Sequence, residues 1–166
     1  MAYSFKYRAL FLRRSMDVNR IANRARKSIS TFCIEECKAY CCRKGHLVVK
    51  ENEINKVTQG RKNELIAEGK LKPIIGGKYS LYIGDEDNAC PSLKGNKCLI
   101  HKSRLRPKTC GDFPIYIVDK TVMISGSCTA ARAGMFYPYI KKFMKLGYKV
   151  SEGSGLLNSD FYKVAE

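Results

Sequence analysis

Long apolar runs and acidic residues are scarce in this sequence. No apolar run reaches the roughly 18 residues at which a segment becomes a candidate membrane helix, so no membrane-spanning helix is expected. The N-terminal segment also lacks the apolar core and the small-residue cleavage site of a secretory signal, although its arginines leave a transit peptide as an alternative. We therefore expect a cytoplasmic protein, in a compartment where reductants keep thiols reduced.

The shortage of acid makes the chain strongly basic. Only 15 Asp and Glu stand against 31 Lys and Arg, and the formal net charge is +16. Ligand thiolates around one or two metal ions lower this charge only slightly. We expect a protein partner or a larger complex, and nucleic acid or an anionic lipid also fits the charge; a solvated basic surface without such a partner is the equally simple alternative.

The motifs of several enzyme classes are missing as well. The sequence has no Gly-rich phosphate loop, no H-E-x-x-H motif and no G-x-S-x-G motif. Of only two histidines, His101 stands three residues after Cys98 and could ligate zinc, but a surface position is the favoured interpretation. We therefore expect a non-catalytic metal-binding or accessory protein more than an enzyme.

Cysteine, in contrast, is abundant. The eight cysteines are Cys33, Cys37, Cys41, Cys42, Cys90, Cys98, Cys110 and Cys128. A chain of 166 residues can bury a core without disulfides, so clustered cysteines in a reducing compartment indicate metal ligands or redox groups. Ligation by cysteine alone favours an iron–sulfur cluster, of the 4Fe-4S type, over the alternative of zinc. One or two of the eight are expected to be ordinary buried thiols.

The spacing of the first cysteines limits which of them can share a metal. On a regular helix Cys33, Cys37 and Cys41 form one stripe, with the outer two about 12 Å apart. That distance is too long for one zinc ion, whose thiolates lie about 2.3 Å from the metal, and too long for one cubane cluster. Either the helix unwinds near Cys41-Cys42 or the stripe serves two centres, and further ligands must come from residues 90–128.

Periodicity and turn signals predict an α+β fold in a single compact domain over residues 1–166. A cysteine-bearing N-terminal helix, two short β-hairpins and a C-terminal helix surround the expected metal centre. The predicted elements are a strand over 3–12, a helix from Ser15 or Asp17 to Gly45, a short strand over 47–49, short helices over 51–60 and 62–68, a hairpin turning at Gly76-Gly77, a hairpin turning at Asp119-Lys120, a helix over 128–146 that Pro138 kinks or splits, and a polar tail from Ser151 with Leu156, Leu157, Phe161 and Tyr162 able to dock.

The same residues resemble a known family. The matching elements are Cys33, Cys37, Cys41-Cys42, the strand and Glu-led helix over 48–57, Cys98-Leu-Ile-His101, and Arg106-Pro-Lys-Thr-Cys110-Gly-Asp-Phe113-Pro114. Together they resemble the YkgJ-like, or CxxCxxCC, cysteine-cluster proteins, which are described as zinc- or iron-chelating. The resemblance implies a core at about 30–130, followed by the helix and tail at 128–166.

The resemblance also implies which residues hold the metal. The implied ligands are Cys33, Cys37, Cys41, Cys42, Cys98 and Cys110, with Cys90 and Cys128 as additions. This sequence departs from the family pattern in its first spacings, which are C-x3-C-x3-C-C, and in His101, which stands where an aromatic residue is usual. The second departure leaves a mixed cysteine and histidine zinc site open.

Arg106 and Phe113, on either side of Cys110, are further candidates for holding the cofactor. Pro107 can start a helical turn that presents Cys110. Arg106 can then pair with the charge of a cluster or with the acidic residues 85–87, and Phe113 with Pro114 can cover the site. Simple turn packing is the alternative explanation for these residues.

Three functions follow from these observations. The first is an iron–sulfur protein that transfers electrons or serves as an accessory subunit of a larger complex. The second is a structural zinc protein that binds nucleic acid or an acidic protein through its basic surface. The third is a component of a protein-modifying enzyme, as the resemblance implies, because some domains of the CxxCxxCC family are associated with flagellin lysine methylation.

Overall fold

The computed structural model describes residues 3–84 and 87–153, with side chains described from Ser15 onward. Helices and strands both occur, so the predicted α+β class is confirmed. The described residues form two compact units, of which one runs up to Thr31 and resumes at Pro114 and the other is Phe32–Phe113. A single domain over residues 1–166 stays a prediction.

The elements fall in the following order. They are α1 (Tyr3–Ser28), α2 (Ser30–Glu35), β1 (His46–Lys50), α3 (Glu51–Val57), α4 (Lys62–Ala67), β2 (Leu71–Ile74), β3 (Lys78–Tyr82), β4 (Leu93–Lys94), β5 (Lys97–Cys98), α5 (Lys108–Asp112), β6 (Ile115–Val118), β7 (Thr121–Ser125), α6 (Thr129–Arg132), α7 (Tyr137–Lys145) and β8 (Lys149–Gly153). None of the helices in the described part of the chain is long and apolar enough to cross a membrane.

The first unit combines α1, α6 and α7 with a three-stranded sheet. Val18, Ala22 and Ala25 recur every three or four residues on α1 and are fully buried, which gives this helix one apolar face. Strand β7 pairs with β6 in antiparallel and with β8 in parallel orientation. A parallel pair needs a crossover connection, and α6 with α7 provides it. Phe136 and Phe143 of this crossover are buried in the core of the unit.

The second unit is built on a three-stranded antiparallel sheet in the order β1-β3-β2. The predicted hairpin between β2 and β3 is confirmed. Its turn contains Gly76 and Gly77 with φ angles of 79° and 66°, a left-handed conformation that glycine adopts without steric cost. The core of this unit consists of Leu47, Val49, Ile54, Val57, Leu65, Leu71, Leu81, Ile83, Cys90 and Ile100.

The predicted strand over residues 3–12 is wrong, because these residues belong to α1. Aromatic residues alternate with polar ones there, which is typical of a strand, but the segment contains neither glycine nor proline. Its Ala, Leu, Arg and Lys are good helix formers, so nothing stops α1 from extending backwards past Ser15. The start predicted at Ser15 or Asp17 is therefore wrong as well.

The C-terminal helix is divided, as predicted, but at a different place. Pro138 lies in the first turn of α7, where its missing N–H has no cost. The break comes earlier, at Gly134, which has a φ of 71°. Ser151 begins no polar tail but lies within β8, whereas Leu156, Leu157, Phe161 and Tyr162 lie outside the described residues.

The core of the second unit gives a test of the fold. Leu81 is fully buried in the central strand β3, so Leu81→Ala should lower the free energy of unfolding by about 2 to 5 kcal/mol. Chemical denaturation followed by circular dichroism measures this change. Leu99→Ala is the matched control because Leu99 is 55 % exposed, and it should change stability little. Equal effects of the two substitutions would contradict the described core.

Candidate metal centre

The structure places seven of the eight cysteines in the second unit. Cys128 belongs to the first unit, where it precedes α6 and is buried. Cys90 is buried in the core of the second unit, Cys41 is exposed, and the remaining five are half-buried. No disulfide joins any of the eight, all of which lie among the described residues. The second unit is therefore the part of the chain in which thiols gather.

The helix that carries Cys33 ends before it reaches the other cysteines. The N–H of Cys37 donates to the carbonyl of Phe32 at 2.9 Å, and the N–H of Ala39 donates to the carbonyl of Cys33 at 2.8 Å. In this segment Lys38 and Ala39 adopt left-handed φ angles of 54° and 55°. The predicted helix to Gly45 is thus wrong at its C-terminal end, because the last helix of this stretch ends at Glu35. The helix therefore ends before Cys37, earlier than the unwinding expected near Cys41-Cys42, and whether the cysteines serve one centre or two stays a prediction.

Backbone hydrogen bonds bring the later cysteines to Cys42. The N–H of Cys90 donates to the carbonyl of Cys42 at 2.9 Å, and the N–H of Leu93 donates to the carbonyl of Cys90 at 2.8 Å. Leu93 is in turn the register partner of Cys98 in the two-stranded ladder of β4 and β5. Cys90 and Cys98 are therefore fixed next to Cys42 by main-chain contacts, which do not depend on any side chain.

Cys110 reaches the same place from α5. Pro107 directly precedes this helix, and its carbonyl accepts the N–H of Gly111 at 2.9 Å, so the expected helical turn presents Cys110. Cys42, Cys98 and Cys110 all pack against the apolar core that contains Cys90. Four thiols thus lie at one edge of this core.

Arg106 lies beside these four thiols. Its Nη2 donates to the carbonyl of Cys110 at 2.8 Å, while its Nε is buried and has no hydrogen-bond partner within the described residues. A buried donor without a partner costs about 1 to 3 kcal/mol, and a thiolate or cluster sulfur is a suitable acceptor. Of the acidic residues proposed as its partner, Asp85 and Glu86 lie outside the described residues.

The adjacent thiols Cys41 and Cys42 share a hydrogen bond that sets their protonation. The thiol of Cys41 donates to Cys42, which raises the pKa of Cys41 above its ordinary value; the nearby Cys33 and Cys37 act in the same direction. The same hydrogen bond lowers the pKa of Cys42 to about 7, with help from the positive charge of Arg106. The pair therefore releases a first proton more readily than a second, because two adjacent thiolates repel each other.

Burial has the opposite effect on the other thiols of this edge. It raises the pKa of Cys90 and of Cys110 to about 12, and it also raises the pKa of Cys98. Neighbouring thiols add to the increase because two thiolates repel each other. A metal cation removes this penalty by compensating the negative charge, so metal binding and thiol deprotonation are coupled here.

The donor set fits a thiophilic metal. Within residues 15–84 and 87–153, no three Cys, His, Asp or Glu side chains already stand at the mutual distances that hold one metal ion. Each cysteine Sγ rotates about a single bond, however, while the backbone of Cys42, Cys90 and Cys98 is fixed by hydrogen bonds. Sulfur donors and the unpaired Nε of Arg106 together suit a metal with bound thiolates or sulfide.

The remaining predicted site residues lie in different surroundings. His101 is exposed at the surface, and its backbone N–H donates to the carbonyl of Cys98 at 3.3 Å. Phe113 is half-buried and follows α5, so its role as a cover over the site stays a prediction. The ligand role of Cys128 also stays a prediction.

Two side chains that the sequence analysis missed hold the cysteine segments together. The guanidinium of Arg43 donates to the carbonyls of Lys38 at 3.2 Å and of Gly95 at 2.9 Å. The amide of Asn96 donates to the carbonyl of Ile34 at 3.1 Å. The Gly95-Asn96 pair is a turn signal that could have revealed this loop, but nothing in the sequence shows which carbonyl the amide reaches.

The cysteine-bearing stretch coincides with a family of proteins. Residues 32–129, more than half of the chain, match the CxxCxxCC family model, described as "Putative zinc- or iron-chelating domain". The chain belongs to this family. No curated protein and no solved structure matches the chain. The family and the gathering of thiols together support cysteine-ligated metal binding.

The contact of Asn96 gives a test of how the site is assembled. Asn96→Ala removes the amide that joins the loop of Gly95 to the segment of Cys33, so it should lower the free energy of unfolding by about 1 kcal/mol and reduce bound metal. Thermal unfolding and metal analysis measure the two effects. Asn63→Ala, at an exposed position on α4, is the matched control. An Asn96→Ala protein indistinguishable from this control would contradict the tether.

Proposed function

We propose that this protein is an iron–sulfur protein that transfers electrons or serves as an accessory subunit of a larger complex. The observation that carries the proposal is the gathering of Cys42, Cys90, Cys98 and Cys110 at the edge of an apolar core beside Arg106. A bound cluster supplies one-electron redox chemistry. The residues of this chain bind it through thiolates and set the environment in which it is reduced.

The type and number of donors support iron–sulfur over structural zinc. A structural zinc ion takes four ligands and accepts imidazole as well as thiolate. Here one compact unit contains seven cysteines, and the histidine nearest to them in sequence, His101, is exposed. Iron–sulfur clusters are held mainly by thiolates, which matches this set.

The surroundings support a redox role for the same thiols. Cys90 lies within the apolar core, so a cluster held there is shielded from water on that side. Arg106 adds a positive charge next to Cys42, Cys98 and Cys110. The apolar core disfavours the negative charge that a cluster gains on reduction. The nearby cation favours this charge and therefore raises the reduction potential.

Arg106 gives a test of this proposal. Removing its charge by Arg106→Gln should lower the midpoint potential of the bound cluster by tens of millivolts, because the reduced cluster loses a favourable interaction. Redox titration of anaerobically purified protein, followed by visible absorption and electron paramagnetic resonance, measures the shift. Arg106→Lys keeps the charge and should restore most of the potential.

Arg104→Gln is the matched control, because Arg104 is exposed and only two residues away. It should leave the midpoint potential unchanged. Equal shifts in the Arg104 and Arg106 variants would refute the specific role of Arg106. A wild-type protein with no reducible centre would overturn the iron–sulfur function itself.

A specific observation favours nucleic-acid binding as a second candidate function. Helix α1 contains eight Lys or Arg residues and a single acid, Asp17. Its apolar face is buried in the first unit, while Arg20 and Arg24 are exposed on the other side. A cationic helix surface of this kind attracts the phosphate backbone of nucleic acid irrespective of sequence.

This second function has its own test. The double substitution Arg20→Glu with Arg24→Glu should weaken binding to a duplex oligonucleotide at least tenfold at low salt and flatten the salt dependence of the affinity. Fluorescence anisotropy over a range of salt concentrations measures both. Lys141→Glu with Lys145→Glu on α7 is the control, since it changes the net charge equally at exposed positions elsewhere in the same unit. Equal losses in both proteins would show that the net charge of the protein, and not the surface of α1, attracts the oligonucleotide.

A further inference from the structure

The seven cysteines of the second unit do not share one environment. Cys90 belongs to the apolar core, and Cys42, Cys98 and Cys110 pack against it. We call these four the inner set. The other three, which we call the outer set, are Cys33, Cys37 and Cys41; none of them belongs to the core cluster, and Cys41 is exposed.

The course of the backbone explains this division. After the helix, Lys38 and Ala39 are left-handed, and the hydrogen bond from the N–H of Ala39 to the carbonyl of Cys33 closes a turn. Cys33, Cys37 and Cys41 therefore lie around one short loop. Cys42 follows directly, and its carbonyl is bound by the N–H of Cys90. One Cys-Cys dipeptide thus contributes a thiol to each set.

The electrostatic neighbours of the thiols follow the same division. Besides Cys42, the thiols that act on Cys41 are Cys33 and Cys37. The thiols that act on Cys110 are Cys42, Cys90 and Cys98. Only Cys42 is a neighbour in both sets.

We propose that the cysteines of this unit form two metal sites that meet at Cys41-Cys42. The inner site is a four-thiolate site, and the outer site binds a second thiophilic metal through Cys33, Cys37 and Cys41. Three thiolates leave one tetrahedral position for water or an added ligand, which is how zinc sites with exchangeable ligands are built. Since Cys41 is exposed, the outer metal exchanges with solvent more readily than the inner one. The identity of the inner centre rests on the proposed function, whereas the division into two sites does not.

Chelator competition on the full-length protein tests the division. Anaerobically purified protein is incubated with Zn²⁺, freed of excess metal and mixed with a colour-forming zinc chelator. Wild-type protein should release about one equivalent of zinc in a fast phase and keep the inner centre. The triple variant Cys33→Ser, Cys37→Ser, Cys41→Ser should lose the fast phase alone, with the inner metal content unchanged. Cys110→Ser should lose the inner centre.

The outcomes separate the two proposals. A triple variant that folds but has lost the inner metal as well, or a wild-type protein without a fast phase, overturns the division into two sites. Iron and acid-labile sulfide are measured on the same samples. Two sites with zinc in both overturn the iron–sulfur function and support the division. One iron–sulfur centre that needs all seven cysteines supports the iron–sulfur function and overturns the division. If Cys110→Ser does not fold, the triple variant still decides.

Discussion

The hydrogen bond from the amide of Cys90 to the carbonyl of Cys42 is the constraint on which the site depends. It joins two segments that are far apart in the sequence and places Cys90 against Cys42. The β4–β5 ladder extends this contact to Cys98, and the turn after Pro107 adds Cys110. Since these contacts are made by the main chain, they fix the backbone of Cys42, Cys90 and Cys98 while each Sγ still rotates about a single bond.

A site of this kind has an electrostatic cost that the protein itself offsets only in part. Burial and mutual repulsion keep Cys90 and Cys110 protonated, while Arg106 favours negative charge on Cys42. The buried Nε of Arg106 adds a donor that no described residue satisfies. The unpaired donor is unfavourable in the metal-free chain, and a metal would both offset the cost of deprotonating the buried thiols and give this donor a thiolate to bind. Metal binding is therefore expected to stabilise the second unit.

The sequence predicted the types of element better than their ends. The Gly76-Gly77 turn and the helix with Glu51 were foreseeable because glycine pairs and helix-starting acids act locally. The end of the helix at Glu35 was not, since the left-handed positions after it are Lys38 and Ala39 and carry no glycine signal. The sequence analysis expected further ligands from residues 90–128, but it assumed a helix through Cys41, and the two sets of cysteines depend on contacts between segments that no spacing rule reveals.

One measurement tests the central claim most directly: iron, zinc and acid-labile sulfide analysis with a visible spectrum, on protein purified without oxygen and without metal-affinity columns. The account predicts a coloured protein with matching amounts of iron and sulfide. A colourless protein with zinc alone would contradict the iron–sulfur function and leave the metal site intact. A protein with neither metal would contradict cysteine ligation altogether and make these thiols part of an ordinary core.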